Sequence, residues 1–180
     1  MGFKSGDGSL VNEKNGGLVV LAAVADNGMI GLDGGMPRYM RKELEKFRER
    51  TLNHGVVMGR VTAQSLWNSF DFPLNHRFNI VISKTNYNFL DNAISTDNLE
   101  IGLKKAMKYN PDGIGYVIGG GQIYASTIML PETQRLEIIR VHQTPKGDTF
   151  FPLIDENIWE MGAHKYHPNK KYSTEIWLRK

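Results

Sequence analysis

Short apolar runs of strand length alternate with amphipathic segments along most of the chain. The run at 18–25, LVVLAAVA, shows little alternation of polar and apolar positions, which is typical of a strand buried on both faces. Shorter apolar runs at 56–58, 78–83 and 115–118 have the same character. We therefore expect a buried strand at each of these places.

Several segments between these runs have the periodicity of helices. Leu44, Phe47 and Leu52 lie near one face of a helix predicted from Arg41 to Asn53, and charged residues occupy the opposite face. Three further helices are expected: one opened by Gly59 and running to about Trp67, one capped by Asp97 or Asn98, and one between the glycines at 119–121 and Pro131.

The order of these elements predicts an α/β fold. Residues 26–37 are rich in Gly, Asp and Asn and end at a proline, which indicates a loop. The segments at 135–143, 158–164 and 172–180 are interpreted as a central strand followed by an antiparallel pair. We expect a central, mostly parallel twisted sheet with helices on both faces and antiparallel strands at its C-terminal edge.

Length and composition are those of one globular domain. The chain has 180 residues, and we expect a flexible tail at 1–16 and a single domain over 17–180, because the first segment is polar and glycine-rich. It has no apolar stretch of the kind a signal peptide carries, and no run in the sequence reaches the length of a membrane span. The absence of cysteine excludes disulfides, a thiol nucleophile and cysteine-based zinc sites, and it fits a cytoplasmic location.

The charge pattern argues against a nucleic-acid partner. The formal net charge is +3, but the basic residues are scattered among Asp and Glu rather than clustered. A few of them remain available to hold a small anion. The five histidines show no spacing typical of a metal site, so no metal is expected.

Two glycine-containing turns are candidates for binding phosphate. VIGGGQIY at 117–124 and GRVT at 59–62 each join a strand to a helix start, where free N–H groups meet anions. The first turn lacks the full dinucleotide fingerprint, so a tight structural turn remains the alternative reading. Arg60, Thr62 and Lys84 add donors near the same sheet edge, and two such turns after neighbouring parallel strands favour a dinucleotide.

Glu43 is the candidate for proton chemistry. It shares a helix face with Phe47 and follows Met36, Pro37 and Met40, so its carboxylate should be partly desolvated and its pKa raised. Such a group can hold an amidine-like heterocycle and manage its proton, whereas a solvated helix glutamate is the simpler alternative.

Together these segments resemble the dihydrofolate reductase family. The matching stretches are LAAVADNGMIGLDGGMP (21–37), ELEKFRERT (43–51), VVMGRVTAQSL (56–66), VIGGGQIY (117–124) and GDTFFP (147–152), in the family's order. The resemblance implies hydride transfer from NADPH to C6 of 7,8-dihydrofolate, with protonation at N5, giving tetrahydrofolate. It also implies that antifolates bind.

The resemblance assigns residues to this reaction. Glu43 would hydrogen-bond the pterin and assist protonation at N5, Met36 would lie on the loop that closes over the nicotinamide, and Arg77 would bind the α-carboxylate of the substrate's glutamate tail. The expected substrate-binding residues are Ala22, Glu43, Phe47, Leu66, Arg77, Ile118 and Ile139. The expected cofactor-binding residues, with Lys84 at the 2′-phosphate, are Ala23, Ile30, Gly31, Gly59, Arg60, Val61, Thr62, Ser83, Lys84, Gly119, Gly120, Gly121, Gln122, Ile123, Tyr124 and Thr149.

Two departures from the family pattern fall in the pterin half of the expected site. Arg38 stands where the family usually has tryptophan, and Ile139 stands where it has a threonine whose hydroxyl bridges the acid and the pterin. The sequence therefore leaves three alternatives besides an ordinary reductase with weakened antifolate binding. They are a reductase of another pterin, a reductase of a riboflavin-pathway pyrimidine, and a folate- or nucleotide-binding protein without turnover. A monomer is expected, with a homodimer as the alternative.

Overall fold

Strands and helices alternate along the described part of the chain. The computed structural model describes residues 16–35, 44–69, 72–85, 92–167 and 171–180, and of Leu44 and Glu45 the backbone alone. The elements are β1 (Gly17–Ala25), β2 (Met29–Gly31), α1 (Leu44–Thr51), β3 (Gly55–Gly59), α2 (Arg60–Ser69), β4 (Phe78–Ile82), β5 (Ala93–Thr96), α3 (Leu99–Tyr109), β6 (Ile114–Val117), α4 (Gly121–Thr127), β7 (Thr133–Val141), β8 (Thr149–Phe150), β9 (Trp159–His167) and β10 (Tyr172–Arg179).

An eight-stranded sheet forms the centre of the molecule, in the order β5-β4-β3-β6-β1-β7-β10-β9. Neighbours from β5 to β7 pair in parallel, and β10 pairs antiparallel with both β7 and β9. This arrangement confirms the predicted mostly parallel sheet with antiparallel pairing at its C-terminal edge.

Helices cover both faces of the sheet. Successive side chains of a strand point to opposite sides, so a buried strand contributes to a core on each face. Val20 and Ala22 of β1 belong to a core cluster that includes Leu103 of α3, while Val19 of β1 belongs to a second cluster that includes Ala63 of α2. The central strand is therefore buried on both faces, as its apolar sequence predicts.

Glycine lets α3 lie unusually close to the sheet. A Cβ added at Gly55 of β3 would lie 2.5 Å from the Cα of Ala106, and one added at Gly115 of β6 would lie 2.9 Å from the Cβ of Ala106. Both distances are too short for a side chain. Small residues at these positions thus fix the distance between α3 and the two strands that precede the glycine turns.

The structure corrects the sequence reading in several elements. The loop expected over 26–37 contains β2, which pairs with the equally unexpected β8 through a contact between distant parts of the chain. β5 was missed because its mixed sequence, AIST, is that of a strand at the edge of the sheet. Asn98, not Asp97, caps α3, since its side chain accepts a hydrogen bond from the N–H of Ile101. In α1 the helix ends at Thr51, before Asn53, which has a positive φ of 63°.

Candidate active site

A cavity of about 700 Å³ opens at the carboxyl edge of the sheet. It lies where β3, β4 and β6 end, which is where parallel α/β sheets commonly bind ligands. Its lining residues come from these strand ends, from β1 and β2, and from the starts of α2 and α4: Ala23, Ile30, Gly31, Gly34, Gly35, Gly59, Arg60, Val61, Thr62, Ser65, Leu66, Ile82, Ser83, Lys84, Thr85, Asp97, Ile118, Gly119, Gly120, Gly121, Gln122, Ile123, Tyr124 and Thr149.

The two glycine turns lie against each other on one wall of this cavity. The N–H of Gly59 donates to the carbonyl of Gly119 over 2.7 Å, which joins the turn after β3 to the turn after β6. Gly119 has a φ of +119°, a conformation that favours glycine. A Cβ at Gly120 would come within 3.2 Å of the Thr62 hydroxyl oxygen. The backbone is therefore open to a ligand where a side chain would close the gap.

Positive charge is concentrated beyond these turns. Arg60 begins α2, whose first N–H groups face the cavity edge, and Lys84 follows β4. Both side chains are exposed, and neither forms an ion pair with any residue that the structure describes. This part of the cavity is suited to phosphate groups.

Apolar side chains line the end of the cavity beneath β1 and β6, among them Ala23, Ile30, Leu66, Ile118 and Tyr124. The Tyr124 hydroxyl donates a hydrogen bond to the carbonyl of Leu21 over 2.9 Å. Burial raises the pKa of Tyr124, so its hydroxyl stays protonated across the physiological range. This end of the cavity is therefore largely apolar, and it is suited to an uncharged ring.

The loop after β2 is fastened to the segment before β8 at the rim of the cavity. One carboxylate oxygen of Asp148 accepts from the N–H of Asp33 over 2.9 Å, and the other accepts from the Thr149 hydroxyl over 2.8 Å. The hydrogen bonds from Thr149 and from the Asp33 backbone lower the pKa of Asp148. Asp148 therefore anchors the loop rather than serving only its own turn.

Each residue expected to contact a cofactor lines this cavity, whereas the expected substrate residues are divided. Leu66 and Ile118 line the cavity, but Ala22, Phe47 and Ile139 do not. Ala22 is buried in the core, and Phe47 packs against the second core cluster. Ile139 is buried on β7 between Ala23 of β1 and Thr174 of β10.

Arg77 is buried beside α1 and does not line the cavity. Its Nε donates to the Thr51 hydroxyl over 3.2 Å, and its two terminal nitrogens donate to the carbonyls of Asn75 (2.6 Å) and Arg48 (3.1 Å). Desolvation, followed by the charge of Arg48, lowers its pKa. These bonds use three of the five N–H donors of a guanidinium.

Comparison with known proteins identifies the family. A sequence model of dihydrofolate reductase matches residues 17–178. This chain belongs to the dihydrofolate reductase family. The match spans nearly all of the described fold, including both glycine turns and the strands beyond the cavity.

Individual relatives agree with this assignment. The dihydrofolate reductase HdrB of Haloferax volcanii is 32% identical over 145 residues, which cover 78% of this chain and 73% of that protein. The dihydrofolate reductase of Haemophilus influenzae is 31% identical over 147 residues, covering 82% and 86%. The solved structure of the Enterococcus faecalis dihydrofolate reductase complexed with NADP(H) and RAB-propyl superposes with a TM-score of 0.77 at 28% identity, over 92% of this chain and 97% of that one.

Two residues assigned to catalysis by the resemblance to dihydrofolate reductases, Met36 and Glu43, lie outside the described residues, as does Arg38. The cavity also contains six residues that the sequence did not single out: Gly34, Gly35, Ser65, Ile82, Thr85 and Asp97. Ile82 and Thr85 directly adjoin the expected residues Ser83 and Lys84 in the chain. Ser65 lies one helical turn after Thr62 along α2. Asp97 was considered only as a cap of α3, because the strand before it, which brings it to the cavity, was not predicted.

Within the described residues, no helix is long and apolar enough to cross a membrane. No group of three or more His, Asp or Glu side chains in the same part of the chain is arranged to hold a metal ion.

Proposed function

We propose that this chain reduces 7,8-dihydrofolate to tetrahydrofolate with NADPH. One observation carries the proposal: a single cavity at the carboxyl edge of the sheet contains every residue that the family resemblance assigns to the cofactor. Its two ends have the properties that the two ends of NADPH require. One end is lined by apolar side chains, and the other carries the exposed cations Arg60 and Lys84.

The described residues fit NADPH well. Gly120 leaves the backbone bare beside Thr62, so a pyrophosphate can approach the N–H groups at the start of α2. Arg60 and Thr62 then hold phosphate oxygens, and Lys84 meets the 2′-phosphate. Ala23 and Tyr124 would hold the nicotinamide at the apolar end. When bound, NADPH supplies the hydride that goes to C6 of the pterin.

The chain itself contributes alignment, exclusion of water and one proton. Asp148 holds the loop after β2 at the cavity rim, which limits the access of solvent to the reacting atoms. Glu43 directly precedes α1 in the chain, and we assign to it the hydrogen bond to the pterin and the protonation at N5. α1 is fixed to the sheet by Arg50, whose Nε donates to a carboxylate oxygen of Glu137 on β7 over 2.7 Å.

Arg77 is proposed to bind the α-carboxylate of the substrate's glutamate tail. Its hydrogen bonds to Thr51, Asn75 and Arg48 fix the plane of the guanidinium. Two N–H donors remain after these bonds, which is the number that a bidentate carboxylate pair needs. A carboxylate is the expected ligand of a cation that is already desolvated.

The pterin pocket is proposed to differ from the family pattern at Ile139. This residue lies next to Ala23 on the neighbouring strand, and an isoleucine offers no hydroxyl to bridge an acid and a pterin. The proposed consequence is a weaker hold on diaminopyrimidine antifolates. Dihydrofolate itself remains the proposed substrate, because Arg77 has a clear purpose when the ligand ends in a carboxylate.

We further propose that the enzyme works in the cytoplasm as a monomer. A sequence without cysteine is suited to a reducing compartment, and one cavity of one chain supplies the proposed cofactor contacts. Sedimentation of the purified enzyme at working concentration tests the oligomeric state. A dimer that persists on dilution would overturn the monomer.

The proposal is tested by following NADPH absorbance with and without dihydrofolate. We expect steady oxidation of NADPH that requires dihydrofolate and yields tetrahydrofolate in equal amount. As a matched control, Lys104→Ala removes an exposed lysine on α3 and should leave the rate unchanged, whereas Arg60→Ala should raise the KM for NADPH. Binding of NADPH without any turnover would reject the reductase in favour of a binding protein.

A further inference from the structure

One acidic residue lies at the cationic end of the cavity. Asp97 follows β5 directly and lines the cavity together with Ser83, Lys84 and Thr85. Register fixes this proximity, because Ile82 pairs with Thr96 and the N–H of Ser83 donates to the Thr96 carbonyl over 2.9 Å. Adjacent strands lie about 4.8 Å apart, so Asp97 leaves the sheet beside the segment that carries Lys84.

Among the described residues, no hydrogen bond or ion pair gives the Asp97 side chain a structural role. The cap of α3 is provided by Asn98, whose Oδ1 accepts from the N–H of Ile101 over 3.0 Å, and the N–H of Asn98 itself donates to the Thr96 hydroxyl. The Asp97 carboxylate is exposed and forms no ion pair with any residue in the described ranges. It is therefore available to a ligand in the cavity.

We propose that Asp97 sets the choice between NADPH and NADH by opposing Lys84 at the ribose of the adenosine half. This inference rests on the proposed cofactor site. A 2′-phosphate carries a charge of about −1.5 to −2 near neutral pH, so a fixed carboxylate repels it while Lys84 attracts it. A 2′-hydroxyl is neutral and can donate a hydrogen bond to the carboxylate, as acidic residues accept from NAD in other dinucleotide-binding folds.

The consequence is a weaker preference for NADPH than Arg60 and Lys84 alone would give. The chain prefers NADPH and also uses NADH. Asp97 and Lys84 are both exposed, so solvent screens the repulsion and limits its effect on selectivity to about three- to tenfold. The same screening makes the effect smaller at high salt.

Nucleotide binding tests this role without any turnover. The probes are adenosine 2′,5′-bisphosphate, which carries the 2′-phosphate, and AMP, which carries a 2′-hydroxyl, each titrated calorimetrically into the full chain. Asp97→Asn should tighten binding of the bisphosphate about three- to tenfold and should not tighten binding of AMP. Asp97→Glu keeps the charge and should leave the ratio of the two affinities near that of the unaltered chain.

Glu100→Gln is the matched control. Glu100 is an exposed acid near the start of α3 that does not line the cavity and pairs with Lys104. Its substitution removes the same charge a few residues away, and we expect neither affinity to change by more than about twofold. A parallel readout is the ratio of kcat/KM for NADPH to that for NADH, which should rise in Asp97→Asn by the same factor as the affinity ratio.

The outcomes separate this role from the proposed function. If the affinity ratio in Asp97→Asn stays within twofold of the unaltered chain, or if Glu100→Gln shifts it equally, Asp97 does not determine selectivity. If both nucleotides bind and the ratio shifts as expected but dihydrofolate is not reduced, the reductase fails and the role of Asp97 stands. Failure of both nucleotides to bind overturns the two together.

Discussion

At the scale of single residues, protonation of the substrate is proposed to depend on the carboxylate of Glu43. Glu43→Gln keeps the shape of the side chain but cannot supply a proton, so we expect turnover at neutral pH to fall by about 100-fold or more. The Kd for NADPH should stay within about twofold, since the proposed cofactor contacts lie elsewhere. Glu49→Gln, at an exposed position of α1, is the control and should be fully active. Full activity of Glu43→Gln would show that another group handles the proton.

Ile139 is the residue whose substitution should restore tight binding of antifolates. Ile139→Thr adds a hydroxyl beside Ala23 of β1, and one hydrogen bond to a charged group is worth about 1.5–3 kcal/mol, so we expect a diaminopyrimidine antifolate to bind about tenfold more tightly or better. Ile139→Val has the same branched shape as threonine without the hydroxyl and separates shape from hydrogen bonding. Equal inhibition constants for the Thr and Val variants would contradict the proposal.

At the scale of elements, α1 is held to the sheet by an ionic cluster. Glu137 of β7 is buried and accepts hydrogen bonds from Arg50 of α1, and its Oε1 lies 3.0 Å from Nε of Arg135. Glu137→Ala leaves two guanidinium groups without this carboxylate. Both are partly exposed, so we expect a loss of about 2 kcal/mol in the free energy of unfolding, less than for a fully buried pair.

Denaturant unfolding measures this loss. Glu100→Ala breaks an exposed pair with Lys104 on α3 and serves as the control, with little change in stability expected because solvent screens that pair. Equal stabilities of Glu137→Ala and the unaltered chain would mean that apolar packing alone holds α1. If Glu137→Ala instead keeps its stability but has a raised KM for dihydrofolate, the carboxylate serves to position α1.

The elements that sequence predicted best are those buried on both faces. β1, β3, β4 and β6 are rich in apolar residues, a composition typical of strands that are buried on both faces. β2, β5 and β8 escaped prediction because each is at most four residues long and depends on a partner distant in the chain. The same limit hid Asp97, since its place in the cavity follows from the pairing of β5 with β4.

At the scale of the whole molecule, acid stability should depend on Glu175 of β10. Burial acts to raise the pKa of Glu175, but hydrogen bonds from Arg140 and Trp177 and the charge of Arg140 outweigh it, and the pKa is lowered. A lowered pKa gives stability that is present above the unfolded pKa of about 4.3 and is lost as the pH falls through the folded value. The free energy of unfolding should therefore decline as the pH falls below that point.

Glu175→Gln isolates this contribution. The variant should be less stable than the unaltered chain at pH 7, and its stability should fall less steeply below about pH 4.3, because one linked proton is gone. Glu160→Gln, on the exposed side of β9, is the control and should keep the original slope. Parallel curves for Glu175→Gln and the unaltered chain would assign the acid sensitivity to other carboxyl groups.

The residues that sequence and resemblance assign to the cofactor all line one cavity, whereas those assigned to the substrate are divided. The glycine turns and Arg60 can be predicted from local sequence, because each motif joins a strand to a helix start. Arg77 illustrates the opposite case. Its sequence context gives no sign of its hydrogen bonds to Thr51 and Arg48, since these two partners lie on α1 and meet Arg77 only when α1 packs on the sheet.

One cavity is proposed to bring the two reactants into direct contact. Reduction of dihydrofolate with NADPH deuterated at both C4 positions tests this, with mass spectrometry and NMR of the product. We predict tetrahydrofolate carrying one deuterium at C6, in an amount equal to the NADPH oxidised. Oxidation of the labelled cofactor without deuterium at C6 would contradict it.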